Sequence, residues 1–149
     1  MLNEDYKDML RCLSEEGVKF MLVGAFAMAA HGYPRATMDI DFWVLPSADN
    51  AKTVISALKK FGAPLHNLKQ DDLVRGDTIF QIGLAPRRID IITGASGLTF
   101  ELAYDRSVVV DVDGYDVHIP CIEDLIVNKR ASGRTKDLAD AEALEDLNS

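Results

Sequence analysis

Asp39-Ile40-Asp41 is the tripeptide of this chain best suited to chemistry. On a strand, residues two apart point to one face, so both carboxylates project together from a run otherwise rich in apolar side chains. Adjacent carboxylates repel unless a cation neutralises them, so the pair either raises a pKa or invites a metal. Hard oxygen ligands at this spacing suit Mg²⁺, which takes one or two carboxylates and completes its shell with substrate phosphate. The plainer reading of the tripeptide alone is a solvated pair at a sheet edge. Asp90 adds weight to the metal. It sits in Arg88-Ile89-Asp90-Ile91-Ile92, where alternation sends Ile89 and Ile91 one way and Arg88, Asp90 and Ile92 the other. An acid there is costly unless ligated or paired, with Arg88 as the partner on its own face. If the two strands are neighbours, three carboxylates converge, an arrangement that suits two-metal phosphoryl chemistry.

Gly24 closes an apolar run and precedes a helical one, where a glycine lets the backbone approach a phosphate at a helix N-terminus. The plainer alternative is a simple turn. Arg35 and Thr37 lie within a few residues of the acid pair and could meet phosphate oxygens or only solvent. Lys129, Arg130, Arg134 and Lys136 form a basic cluster that could bind phosphate or RNA, or balance Glu123, Asp124 and Asp137. His31, His66 and His118 show no ligand spacing; His31, beside Gly32, reads as a helix-end residue, and serine–histidine–acid catalysis has no support beyond composition.

The positioning elements follow from periodicity. Leu2, Tyr6, Met9, Leu10 and Leu13 predict an amphipathic helix closed by Gly17. Residues 19–23 predict a buried strand, 25–30 a short buried helix, and 39–45 a second strand that Pro46 breaks. Ala51, Val54, Ile55, Leu58 and Phe61 predict a helix ended by Gly62. Residues 63–77 are polar and irregular, with room for one helical turn. Residues 78–84 and 88–93 read as a hairpin, and Asp113-Gly114 as the tight turn of another between 108–112 and 115–119. Two helices close the chain, the first carrying Ile122, Leu125 and Ile126, the second Leu138, Ala141, Leu144 and Leu147. The expectation is one α+β domain over 1–149, its mixed sheet across 18–120 and its C-terminal helices across 121–148.

At 149 residues and 48% hydrophobic content, such a domain holds a core without staples. A net charge of -8 repels nucleic acid and anionic membranes. Cys12 and Cys121 stand far apart with no CxxC pattern, as reduced thiols in a cytoplasmic protein would. Residues 1–20 carry charges throughout, and Met21 to Ala30, the longest apolar run, falls well short of the roughly 20 residues that cross a bilayer. The expectation is therefore a soluble chain with no signal peptide and no membrane partner.

Taken together, Val23-Gly24-Ala25-Phe26-Ala27, His31-Gly32-Tyr33-Pro34-Arg35-Ala36-Thr37 and Asp39-Ile40-Asp41 resemble the amino-terminal motif of AbiEii-type minimal nucleotidyltransferases, in the DNA polymerase β superfamily. Pro86-Arg87-Arg88-Ile89-Asp90-Ile91 resembles that group's third-carboxylate strand. Glu123-Asp124-Leu125-Ile126, Lys129, Ala131-Ser132-Gly133-Arg134 and Lys136-Asp137-Leu138-Ala139-Asp140 are similar to its carboxyl-terminal element. The resemblance spans about residues 20 to 145 and implies the nucleotidyltransferase fold, a mixed sheet with helices packed mainly on one face. It implies that Asp39, Asp41 and Asp90 hold Mg²⁺ or Mn²⁺ with the triphosphate of ATP or another NTP, and that Asp90 helps activate the attacking hydroxyl. Gly24 and Ala25 would cradle phosphate, with Arg35, Thr37 and Arg88 near it, while Lys129, Arg134, Lys136 and Asp137 would line the nucleotide or acceptor side. Ala25 departs from the serine or second glycine common at its place, which removes a hydrogen bond worth about 1 kcal/mol. The implied reaction moves a nucleoside monophosphate to an acceptor hydroxyl and releases pyrophosphate. The acceptor would be RNA, including a tRNA 3′ end, or a protein, in a chain paired with a cognate antitoxin or toxin. The alternatives are a non-catalytic nucleotide- or partner-binding module on the same fold, or half of a site completed by another chain.

Overall fold

The computed structural model describes residues 2–33, 39–84 and 87–149. Helix α1 (Glu4–Glu15) opens on Asn3, whose side chain accepts the Tyr6 N–H, and buries Tyr6, Met9, Leu10 and Leu13. Strand β1 (Phe20–Val23) runs directly into α2 (Gly24–Ala30). Strand β2 (Ile40–Val44) leads to α3 (Ala48–Phe61), capped by Ser47 and ended by Gly62 at φ 90°. Strands β3 (Ile79–Ile82) and β4 (Ile89–Ile92) pair antiparallel, as do β5 (Val108–Val112) and β6 (Tyr115–Ile119). Asp113 and Gly114 both take positive φ, 52° and 89°, the geometry a two-residue turn needs to match strand twist. Helices α5 (Ile122–Ser132) and α6 (Thr135–Asn148) complete the chain. Among the described residues no helix is long and apolar enough to cross a membrane.

One six-stranded mixed sheet, ordered β3-β4-β2-β1-β6-β5, organises these elements. Its faces differ. Phe20, Leu22, Ile40, Phe42, Val44, Ile89 and Ile91 join the larger core with buried residues of α1 and α3. Met21, Val23 and Trp43 point the other way, into a smaller cluster with Phe100 and Ala103. These last belong to α4 (Phe100–Asp105), an element the periodicity does not announce: six residues make less than two turns. Residues 63–77, expected irregular, hold one 3₁₀ turn at Gln70–Val74.

One buried polar residue ties the sheet to α3. Asn50 accepts the Lys19 N–H at 2.8 Å and donates to the carbonyls of Lys19 and Leu45 at 3.0 Å each. It thereby fixes the start of β1 against the end of β2 and sets the register Val23↔Asp41 at their other ends.

Candidate active site

Strands β2 and β4 are parallel neighbours, with Asp41 beside Asp90 in register. Asp39 directly precedes β2. The odd-numbered face of β2 thus carries Asp39, Asp41 and then Trp43, so the acids share the sheet face of the smaller cluster and sit beyond its edge. Asp90 is 7% exposed and Asp41 half-buried. Burial first, then the Asp90 charge and hydrogen bond beside it, push the Asp41 carboxyl up to about 7.

Arg88 meets two of the acids at once. Its Nε donates to Asp90 Oδ1 at 2.8 Å and its Nη2 to Asp90 Oδ2 at 3.2 Å. The same Nη2 lies 3.2 Å from Asp39 Oδ2, and the Arg88 backbone N–H donates to Asp39 Oδ1 at 3.1 Å. Its carbonyl accepts from the Ile40 N–H at 3.1 Å and from the Tyr6 hydroxyl at 3.4 Å. The backbone is held from both sides while the guanidinium stays partly exposed. Periodicity exposes the link from Arg88 to Asp90; the one to Asp39 and the role of Tyr6 have no local signal, since both depend on β2 and α1 meeting residue 88 across the fold.

Gly24 serves the acids. A Cβ built on it would fall closer than 3.0 Å to Asp41 Oδ2, and its φ of +66° suits glycine. The first residue of α2 is therefore the floor against which the Asp41 carboxylate rests.

The donor set fits Mg²⁺ or Mn²⁺: carboxylate oxygens alone, two on adjacent strands, with excess negative charge that a divalent cation would relieve. Among the described residues these acids do not form a ready-made metal shell; Asp39 and Asp90 are gathered around a guanidinium instead.

Asp39, Asp41, Asp90, Arg88 and Gly24 thus come together, with Ala25 next along α2. Arg35 and Thr37 lie outside the described residues. The carboxyl-terminal candidates form a cluster of their own between α5 and α6. Lys129 Nζ lies 3.1 Å from Asp140 Oδ2 and 3.6 Å from Asp137 Oδ1, and Arg134 Nε donates to Asp137 Oδ2 at 2.8 Å. Asp137 and Asp140 are buried, so Lys129 is committed to balancing them, while Lys136 is exposed. Burial works to raise the Asp137 carboxyl, but the Arg134 hydrogen bond and the Lys129 charge outweigh it and hold it below its ordinary value. His31 caps α2 and its Nε2 meets the Pro120 carbonyl at 2.8 Å, the helix-end role expected of it. Ser107 Oγ meets His118 Nδ1 at 2.8 Å, and that ring stacks on Tyr104.

At the opposite end of β2 a cavity of about 490 Å³ opens on the same sheet face, lined by Trp43, Thr78, Thr93, Ser96, Thr99 and Phe100 among others. The indole of Trp43 forms part of its wall, one strand repeat from Asp41.

Comparison with known proteins agrees with this architecture. The crystal structure of a "putative nucleotidyltransferase" from Thermotoga maritima superposes with a TM-score of 0.59 over 98% of this chain and 94% of that one, at 15% identity. The chain therefore has a nucleotidyltransferase fold. No protein of curated function matches its sequence. Residues 2–147 match the model of the family described as "Nucleotidyltransferase of unknown function (DUF6036)", and the chain belongs to that family.

Proposed function

We propose that this chain transfers a nucleoside monophosphate from an NTP to an acceptor hydroxyl, releasing pyrophosphate, at Asp39, Asp41 and Asp90. The observation that carries this reading is the register of Asp41 with Asp90 across parallel β2 and β4, with Asp39 on the same face and Gly24 cut away to seat Asp41. A protein that only binds a partner gains nothing from three clustered acids, whose mutual repulsion destabilises the fold.

The three carboxylates would hold Mg²⁺ or Mn²⁺, which when bound supplies Lewis-acid stabilisation of charge on the phosphoryl oxygens. Arg88, on the same face, would be the cation that meets triphosphate oxygens, and Gly24 and Ala25 would offer their backbone N–H groups to them. Asp90 would help activate the attacking hydroxyl by accepting its proton. The new bond joins the acceptor oxygen to the α-phosphorus; the bond to the β-phosphate oxygen breaks, and pyrophosphate leaves. Burial of Asp90 and Asp41 against the smaller cluster keeps local dielectric low, where such interactions count for most.

The likeness to AbiEii-type enzymes makes RNA, including a tRNA 3′ end, one acceptor to test, with a cognate antitoxin or toxin as partner. The pairing of Lys129 and Arg134 with Asp137 and Asp140 works against it, because it neutralises much of the patch that would face phosphates. That pairing, with the net charge of -8, favours a small-molecule or protein acceptor.

The test is label transfer from each α-³²P NTP with Mg²⁺ into the RNA, protein and small-molecule fractions of a cell extract, with Asp41→Asn beside it. Label in one fraction that disappears in the variant is expected. NTP binding with no transfer into any fraction would replace the enzyme with a binding module.

A further inference from the structure

We propose that Arg88 is a built-in counter-ion that competes with the divalent metal for Asp39 and Asp90, and that its guanidinium is released toward the triphosphate when the metal takes their charge. The inference rests on the reading of the acids as a metal site and adds to it a charge exchange within the chain.

Four contacts support it. The guanidinium engages both oxygens of Asp90, at 2.8 and 3.2 Å, and Asp39 Oδ2 at 3.2 Å, so it meets two of the three acids simultaneously. These are the oxygens a divalent ion would need. A cation ligated by Asp39 and Asp90 would compete for those oxygens with a like-charged fork of N–H donors that takes up part of their lone-pair capacity. The fourth contact, from the Arg88 backbone N–H to Asp39 Oδ1 at 3.1 Å, does not depend on the side chain. Together with the carbonyl's bonds to Ile40 and Tyr6, it anchors residue 88 while the guanidinium swings. The side chain has room to do so, at 31% exposed against 10% for that of Asp90.

The charge count explains the need. Asp39 and Asp90 share one guanidinium, with the Asp41 carboxyl beside Asp90 on the same sheet face, and a chain of net charge -8 has little positive charge to spare. Without a cation between them the clustered carboxylates would repel one another. Arg88 keeps Asp39 and Asp90 gathered, at the cost of competing with the metal.

The experiment is Mn²⁺ binding without nucleotide, read by electron paramagnetic resonance of the free ion, for wild type, Arg88→Met and Arg88→Lys. Removing one unit charge roughly 6 Å from a divalent ion should tighten Mn²⁺ binding at least about tenfold in Arg88→Met, the water-like dielectric setting the lower limit. Calorimetry on the same variant should show MgATP binding weakened, the opposite sign. Arg88→Lys, which keeps the charge, should stay within about threefold of wild type for Mn²⁺. Mn²⁺ affinity of Arg88→Met equal to or weaker than wild type would reduce Arg88 to a strut and overturn the proposal. If Arg88→Met does not fold, wild type decides the matter by itself. The Arg88 Nε–H signal, identified by its loss in Arg88→Lys, should shift and exchange faster with water as Mg²⁺ is added. A signal unmoved at saturating Mg²⁺ overturns the exchange. A wild type that takes up no Mn²⁺ or Mg²⁺ defeats the metal-site reading itself, a result separable from every other outcome.

Discussion

Gly24→Ala separates backbone strain from loss of the site. At φ +66° an alanine occupies the left-handed region, which costs about 1–2 kcal/mol. Its Cβ would also lie closer than 3.0 Å to Asp41 Oδ2 and 3.5 Å from Asp41 Cγ. The Asp41 carboxylate is the movable partner, so the clash is relieved by rotating it off the floor of the site. Gly17 is the control: it has a φ of +72° and nothing within 4 Å of the point a Cβ would occupy, so Gly17→Ala carries the same strain and leaves Asp41 untouched. Urea denaturation should show both variants destabilised by about 1–2 kcal/mol. Mn²⁺ and NTP binding should fall at least about tenfold for Gly24→Ala, the loss of one charge-assisted ligand, and stay at wild-type strength for Gly17→Ala. Wild-type binding by Gly24→Ala would refute the claim that this glycine exists to seat Asp41.

Three further outcomes follow from other parts of the fold. In EDTA, folded Asp41 keeps its proton up to about pH 7 while the unfolded chain releases it near the ordinary 3.8, so stability is lost as pH rises between those values. Asp41→Asn should match wild type at pH 4 and exceed it by about 2–4 kcal/mol at pH 8, measured by thermal melts; a variant no more stable at pH 8 would remove the strained acid from the account. Lys129→Met leaves Asp137 and Asp140 buried with less compensating charge and should cost about 3–5 kcal/mol in urea, whereas a loss under about 1 kcal/mol would mark Lys129 as free for substrate. Asn50→Ala strands the Lys19 N–H and the Leu45 carbonyl, while the Lys19 carbonyl keeps the Leu45 N–H, and should cost about 2–4 kcal/mol; faster hydrogen exchange at Lys19 is expected, and exchange unchanged from wild type would show that its N–H does not depend on Asn50 for protection.

What the sequence discloses and withholds follows one physical line. Asp39, Asp41 and Asp90 are legible because a strand repeats every two residues, so an acid on an apolar strand reveals its face before its neighbours are known. Convergence is conditional on β2 and β4 lying side by side, which is a matter of topology, and the sheet order supplies it. The hairpin at Asp113-Gly114 is legible because positive φ at two successive positions restricts residue type locally. Helix α4 is not, being too short for a period to develop; its Phe100 is buried against Trp43 from a distant strand. The same limit governs charge. Arg88 announces Asp90 two residues away but not Asp39, and the basic residues near the carboxyl terminus admit pairing with Asp137 from sequence alone, whereas the pairing of Lys129 with Asp140 shows only once α5 and α6 pack and bury both acids. Local spacing therefore identifies which groups could do chemistry, while packing decides which of them remain available for it. Here it leaves Asp41 half-buried and Asp90 buried under a partly exposed arginine, and closes the lysine of α5 into a structural ion pair.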